Sequence, residues 1–186
     1  HATALLQHQT QLFLQKPASL DPVDEARLRL SPNGIYHTIR DREEGGAAVF
    51  YSGYFPVGAP QRDKVTRLLA SQSMLRDIVE SDPLVISAYM STFDSLNVIY
   101  PYFDVVSQYP AKMDIPSYNF YYEADAAHNP DRSVVWTDAY LDPAGQGWMV
   151  SCIAPVYNGD LLEGVVGLDV TLAVFIEQTL ALSLPW

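Results

Sequence analysis

Sulfur and positive charge are both scarce in this chain. One of its 186 residues is a cysteine, so Cys152 has neither a partner for an intramolecular disulfide nor companions for a cysteine-based zinc site. Eleven basic residues stand against 22 acidic ones, a net charge of −11 with the four histidines neutral. No Lys/Arg cluster offsets that balance locally. A nucleic-acid partner is therefore disfavoured, because its affinity rests on neutralised phosphates, and so is an anionic membrane surface. Long apolar runs are missing too: Leu161–Val166 and Leu180–Leu184 fall far short of the roughly 20 residues that span a bilayer. The start at His1 shows no signal-peptide pattern.

Catalytic signatures are equally absent. There is no P-loop, G-x-G-x-x-G, H-E-x-x-H or G-x-S-x-G motif, no histidine pair at i and i+4, and no D-x-D-x-D-G calcium loop. No cofactor or metal is expected. Cys152 and His128 are the one nucleophile and base pairing on offer, but Cys152 sits inside Val150-Ser151-Cys152-Ile153, where strand alternation makes it an apolar filler. Asp138 and Asp142 read as turn or surface acids.

What is present is enough apolar residue, 48%, to bury a core, arranged in legible periods. Ala2–Lys16 carries Leu5, Leu6, Gln9, Leu12 and Phe13 at near-helical spacing before Pro17. The glutamines of that helix, Gln7, Gln11 and Gln15, make either a solvated face or a candidate homodimer contact. Asp24–Leu30 suggests a short helix; Ile35–Ile39 and Ala47–Phe55 suggest strands. Gln61–Ser81 predicts one long helix stopped by Asp82-Pro83. Leu84–Thr92 and Asn97–Phe103 predict a hairpin, and Ser117 a capped helix to about Ala127. Strands follow at Val134–Asp138, Gly147–Tyr157 and Glu163–Val170, with a type I′ turn at Asn158-Gly159, then a helix over Thr171–Leu182. This order predicts an α+β fold with a mostly antiparallel sheet, not a doubly wound one.

Aromatic residues crowd one stretch, from Tyr100 and Tyr102 through Tyr109, Tyr118, Phe120, Tyr121 and Tyr122 to Trp136, Tyr140 and Trp148. They make either a tyrosine-rich core or an aromatic ligand pocket. Asp169 interrupts the apolar run Gly164–Val170 just before the last helix, as a helix N-cap or as an anion at the edge of such a pocket. Facing tyrosine rings, its carboxylate would select a cation.

The segment Val134-Val135-Trp136-Thr137-Asp138-Ala139-Tyr140-Leu141-Asp142, with Met149, Pro155-Val156-Tyr157 and Gly164–Leu172, resembles the Cache superfamily. These are the extracytoplasmic PAS-like (PDC) sensor domains of bacterial histidine kinases, diguanylate cyclases and chemoreceptors. The resemblance implies a PAS-like antiparallel sheet with a long N-terminal helix and flanking helices. It divides the chain into residues 1–34, helix and connector, and residues 35–186, a sensor module of the membrane-distal type. In the amino-acid-binding double-Cache branch an Arg-x-Trp-Tyr element, a later Tyr and a final Asp hold the ligand. Tyr118-Asn119-Phe120-Tyr121 resembles the first element, and Tyr140 and Asp169 match the later pair.

Tyr118 stands where that branch has the arginine that grips the ligand carboxylate. The resemblance therefore implies a site of Tyr118, Phe120, Tyr121, Asp138, Tyr140 and Asp169 that keeps its ammonium side and has lost its carboxylate anchor. An amine, another small cation or a different polar molecule is expected as ligand. The implied role is the periplasmic or extracellular sensor of an inner-membrane receptor, a histidine kinase first, with a diguanylate cyclase or chemoreceptor as the alternative. Membrane contact would come only through flanking transmembrane helices. The competing enzyme reading is a small hydrolase using Asp138, Asp142 or Asp169 as acid or base.

Overall fold

The computed structural model describes residues 1–181. Its sheet grows from strands whose successive side chains point to opposite, equally buried faces. The elements in chain order are α1 (Ala2–Gln15), α2 (Pro22–Glu25), β1 (Leu28–Leu30), β2 (Tyr36–Thr38), β3 (Ala48–Tyr51), α3 (Ala59–Leu69) and α4 (Gln72–Ser81). Then come β4 (Ser87–Thr92), β5 (Leu96–Tyr100), α5 (Val105–Gln108), α6 (Asn119–Tyr122), β6 (Val135–Trp136), β7 (Tyr140–Leu141), β8 (Trp148–Asn158), β9 (Leu161–Thr171) and α7 (Leu172–Ala181). The strands form one sheet in the order β1-β2-β3-β5-β4-β9-β8-β6, with β7 also on β8, and neighbours run antiparallel. The α+β architecture expected from the sequence is the one found.

One face of the sheet, carrying Ala88, Met90, Val98, Val166 and Leu168, packs under Leu6 of α1, Val65, Leu68 and Leu69 of α3 and Leu75 of α4. The other face, with Phe50, Tyr89, Ile99, Ile153 and Val165, lies under Val105, Met113, Ile115, Phe120 and Tyr121 from the short helices and loops between β5 and β6. Among the described residues no helix is long and apolar enough to cross a membrane.

Several local expectations are corrected. The single helix over Gln61–Ser81 is two, broken where the Ser71 hydroxyl donates to the Leu68 carbonyl at 2.6 Å; a serine that bonds its own backbone competes with the helical ladder. The buried side of α1 is Thr3, Leu6 and Thr10, while Leu5 is 54% exposed. Thr3 donates to Cys152 Sγ and Thr10 to Met90 Sδ. Gln7 and Gln11 are not a free face: their amides donate to the Pro155 and Tyr157 carbonyls of β8 at 2.6 and 3.2 Å.

The short helix expected within Asp24–Leu30 starts earlier, capped by Asp21, whose side chain accepts from Val23 N–H at 2.7 Å, and Leu28–Leu30 is an edge strand instead. Ser117 does not cap a helix to Ala127; its hydroxyl turns back to the Asp114 carbonyl and α6 has one turn. Asn158 pairs with Leu161, so the β8–β9 turn is Gly159-Asp160, one residue later than expected. Gly159 takes φ +62°, and glycine at the first central position is the mark of a II′ turn rather than I′. The last helix begins at Leu172; its expected end, Leu182, lies outside the described residues.

Candidate functional site

Registers in the central sheet bring three polar side chains into one row. Asp169 of β9 is paired with Ser87 of β4 on one side and Ser151 of β8 on the other. Cross-strand partners share a face, here the face under the short helices. The Ser87 hydroxyl donates to Asp169 Oδ2 and the Ser151 hydroxyl to Oδ1, each at 2.5 Å. Tyr140 OH lies 2.7 Å from Ser151 Oγ and 3.4 Å from Asp169 Oδ1. Asp169 is 5% exposed and, among the described residues, no lysine, arginine or histidine lines the space beside it. Burial pushes its carboxyl up to about 7, against the lowering effect of the serine and tyrosine hydroxyls, and the nearby Asp142 raises it further.

The N-cap role weighed for Asp169 belongs to Thr171, whose Oγ1 accepts from Val174 N–H at 3.2 Å. Asp169 instead faces two adjoining hollows. The smaller, about 20 Å³, is walled by Tyr89, Asn97, Ile99, Tyr109, Phe120 and Tyr140 together with Asp142, Pro143 and Asp169. The larger, about 230 Å³, is lined by Ile86, Ser87, Ile99, Pro101, Tyr102, Phe103, Asp142, Ala144, Gln146 and Asp169. Neither lining contains a lysine, arginine or histidine. A carboxylate-rich, cation-free wall with apolar rings around it favours a positively charged guest.

The tyrosine hydroxyls here stay neutral. Burial, with Asp169 next, raises the hydroxyls of Tyr89 and Tyr140, and burial followed by Asp142 and Asp169 raises that of Tyr109. Tyr89 lies flat on β9 because position 167 is glycine: a Cβ there would meet the Tyr89 ring at 2.2 Å. Tyr89 OH donates to the Phe120 carbonyl at 3.2 Å, tying floor to roof.

Of the six residues expected at the site, Phe120, Tyr140 and Asp169 line the hollow together. Tyr118 stands one ring back, stacked on Phe120 at 5.3 Å. The other two do not come to Asp169. Tyr121 is buried, its hydroxyl without a hydrogen-bond partner among the described residues and raised by burial first and then by Asp94 and Glu163, which belong to the β4–β5 turn and the start of β9. One helical step from Phe120 aims it along a different direction of the sheet. Asp138 is exposed; its backbone, not its carboxylate, is engaged, through Glu123 and Asn119.

Five contributors are not among the six residues expected to hold the ligand, although Asp142 is an acid of the hydrolase reading. Asp142 serves as a turn acid, accepting from Ala144 and Gln146 N–H, and faces both hollows as well. Ser87, Tyr89, Asn97 and Ser151 had a readable signal: polar or phenolic side chains alternating with apolar ones in Ser87-Ala88-Tyr89-Met90, Leu96-Asn97-Val98 and Val150-Ser151-Cys152. A second cavity, about 210 Å³, lies between α1, α3 and the β8–β9 hairpin. Its cations are already committed, Lys64 to Asp94 and Glu163 and Arg67 to Asp63 and the Leu14 carbonyl.

A family model described as methyl-accepting chemotaxis protein-like, first PDC sensor domain, matches residues 71–177, more than half of the chain. No curated protein matches. Similar solved structures include the ligand-binding domain of the Pseudomonas aeruginosa PAO1 amino acid chemoreceptor PctB with L-Arg, at 23% identity and TM-score 0.49, covering 63% of this chain and 45% of that one. The domain of PctC from the same organism with GABA matches at 24% identity and TM-score 0.46, covering 60% and 49%. That of the Campylobacter jejuni chemoreceptor Tlp3 with L-norvaline matches at 19% identity and TM-score 0.45, covering 61% and 42%. The chain spans less than half the length of these domains.

Proposed function

The chain belongs to the family of first PDC sensor domains of methyl-accepting chemotaxis protein-like receptors, and from that premise we propose that it senses a small molecule carrying an ammonium group. The observation that carries this reading is Asp169: a buried carboxylate at the junction of two hollows, served by serine hydroxyls, with no cation among the described residues of either lining. Asp142 adds a second carboxylate to the same wall, and Tyr140, Tyr89, Tyr109 and Phe120 supply aromatic faces.

Charge-assisted hydrogen bonds contribute about 1.5–3 kcal/mol and a desolvated cation over an aromatic face about 2 kcal/mol. The two together account for a large part of a micromolar free energy of about −8 kcal/mol. A ligand carboxylate finds no counter-charge in either lining, so amines are preferred to ordinary α-amino acids.

In this reading residues 35–186 form the sensor module of an extracytoplasmic receptor segment, with residues 1–34 as its leading helix and connector. The family favours a chemoreceptor over the histidine kinase that the sequence suggests first. Ligand binding signals only if it has different affinity for two arrangements of the module.

The test is calorimetry on the isolated chain with primary amines, α-amino acids and dicarboxylates. Binding of amines that is lost in Asp169→Asn supports the reading. Binding of dicarboxylates but not amines, or amine binding unaltered in Asp169→Asn, overturns it.

A further inference from the structure

Asn97 of β5 is 4% exposed and lines the smaller hollow. Its Nδ2 donates to Ser91 Oγ at 3.0 Å, while its Oδ1 is buried with no hydrogen-bond partner among the described residues. Leaving a buried carbonyl unpaired is costly, and such a group asks for a donor that the described residues do not supply. Asn97 and Asp169 are not at the same spot. Asp169 is paired with Ser87 and Asn97 with Ser91, so they stand four residues apart along the strands, about 13 Å, and two strands apart, about 10 Å. Their side chains approach the hollow from opposite ends, with Tyr89 and Ile99 between them on the floor.

We propose that Asn97 is the second anchor of the ligand, and that the ligand is two-ended, with an ammonium at Asp169 and Asp142 and a second N–H donor at Asn97 Oδ1. The chemical class is an α,ω-diamine or an amine with a similarly placed nitrogen donor. This rests on the ammonium reading of Asp169 and extends it to the other end of the slot. At about 20 Å³ the hollow holds one water-sized group, so a chain spanning it lifts the roof of Tyr109, Phe120 and Tyr140 from the floor. Occupancy of the far end is thereby coupled to the position of the short helices. A bound water alone would satisfy Asn97 equally well but would give no preference among amines.

The test is isothermal titration of the chain with diaminobutane, diaminohexane and diaminooctane, each against the n-alkylamine of equal length. At least one diamine is expected to bind roughly tenfold or more tighter than its monoamine, the value of one hydrogen bond to a charged group. Asn97→Leu removes that advantage, so that diamine and monoamine affinities converge, whereas Asp169→Asn weakens both. Asn97→Ala serves if the leucine variant does not fold, and the wild-type comparison needs no variant. Equal affinity for diamines and monoamines at every length, or equal loss of both in the Asn97 variants, overturns the second anchor while leaving the Asp169 reading standing. Absence of any amine binding overturns both.

Discussion

The two faces of one sheet have been put to different uses by the same strands. Along β4, Ala88 and Met90 look toward α1, α3 and α4, while Ser87, Tyr89 and Ser91 look the other way. Along β9, Val166 and Leu168 oppose Gly167 and Asp169; along β5, Leu96 and Val98 oppose Asn97 and Ile99. The helix face is a continuous core of aliphatic side chains with Tyr36, Tyr51 and Tyr100 among them, covered by three helices of 10 to 14 residues. The opposite face collects serines, an asparagine and a carboxylate under four-residue helices and loops. Burial of apolar area stabilises the first face, whereas the second holds groups whose burial is costly unless they meet a partner. A strand that alternates in this way builds a stable wall and a binding floor with one backbone.

If the division holds, damage to the helix face costs stability and spares binding. Leu68→Ala, at a fully buried position, is expected to cost about 2–5 kcal/mol, read as a lower denaturant midpoint, with amine affinity in the folded fraction unchanged. Asp169→Asn is expected to do the reverse. Amine binding falls roughly tenfold to a hundredfold, yet the fold becomes more stable near neutral pH. The folded carboxyl is raised to about 7, above its ordinary value near 4, so wild type holds its proton more tightly when folded. Its contribution to stability is complete below pH about 4 and is lost as pH rises toward 7. The stability difference between variant and wild type therefore grows over that window and is constant above it.

Gly167→Ala sharpens the comparison from within the floor. The added methyl meets the Tyr89 ring and pushes it into the hollow, at a cost of about 1–3 kcal/mol and with amine affinity reduced. A crystal structure of the variant with an undisturbed Tyr89 would count against this account of the floor. Asp138→Ala is expected to change stability by no more than about 0.5 kcal/mol and to leave amine titrations as they are, since its exposed carboxylate faces neither hollow.

Much of this architecture is legible in the chain. The first helix, the β4–β5 hairpin and the β8–β9 pair follow from apolar period and turn residues; Asp169 stands out as an acid in an apolar run, and Tyr140 and Phe120 are picked from the aromatic stretch by the resemblance to double-Cache domains. What escaped depends on side chains choosing between backbone partners. Ser71 breaks a helix that its neighbours' period continues, and Ser117 folds back instead of capping. Tyr121 follows Phe120 by one position, and a short helix turns the two rings in different directions. Ser87, Ser151 and Asp169 are far apart in sequence and meet only through strand register, which no local pattern encodes. Asp142 was hidden by its turn role, since an aspartate that accepts from two backbone amides looks finished from the sequence.

The central claim is that the Asp169 carboxylate, once ionised, receives the cation of the guest. Titrating a primary amine into the chain by calorimetry across about pH 5 to about pH 8 tests it most directly. The affinity should be level above pH about 7 and fall about tenfold for each unit below it, because every binding event must first displace the proton of Asp169, and this slope should vanish in Asp169→Asn. An affinity that stays flat across the range, or a slope that survives the substitution, would contradict it.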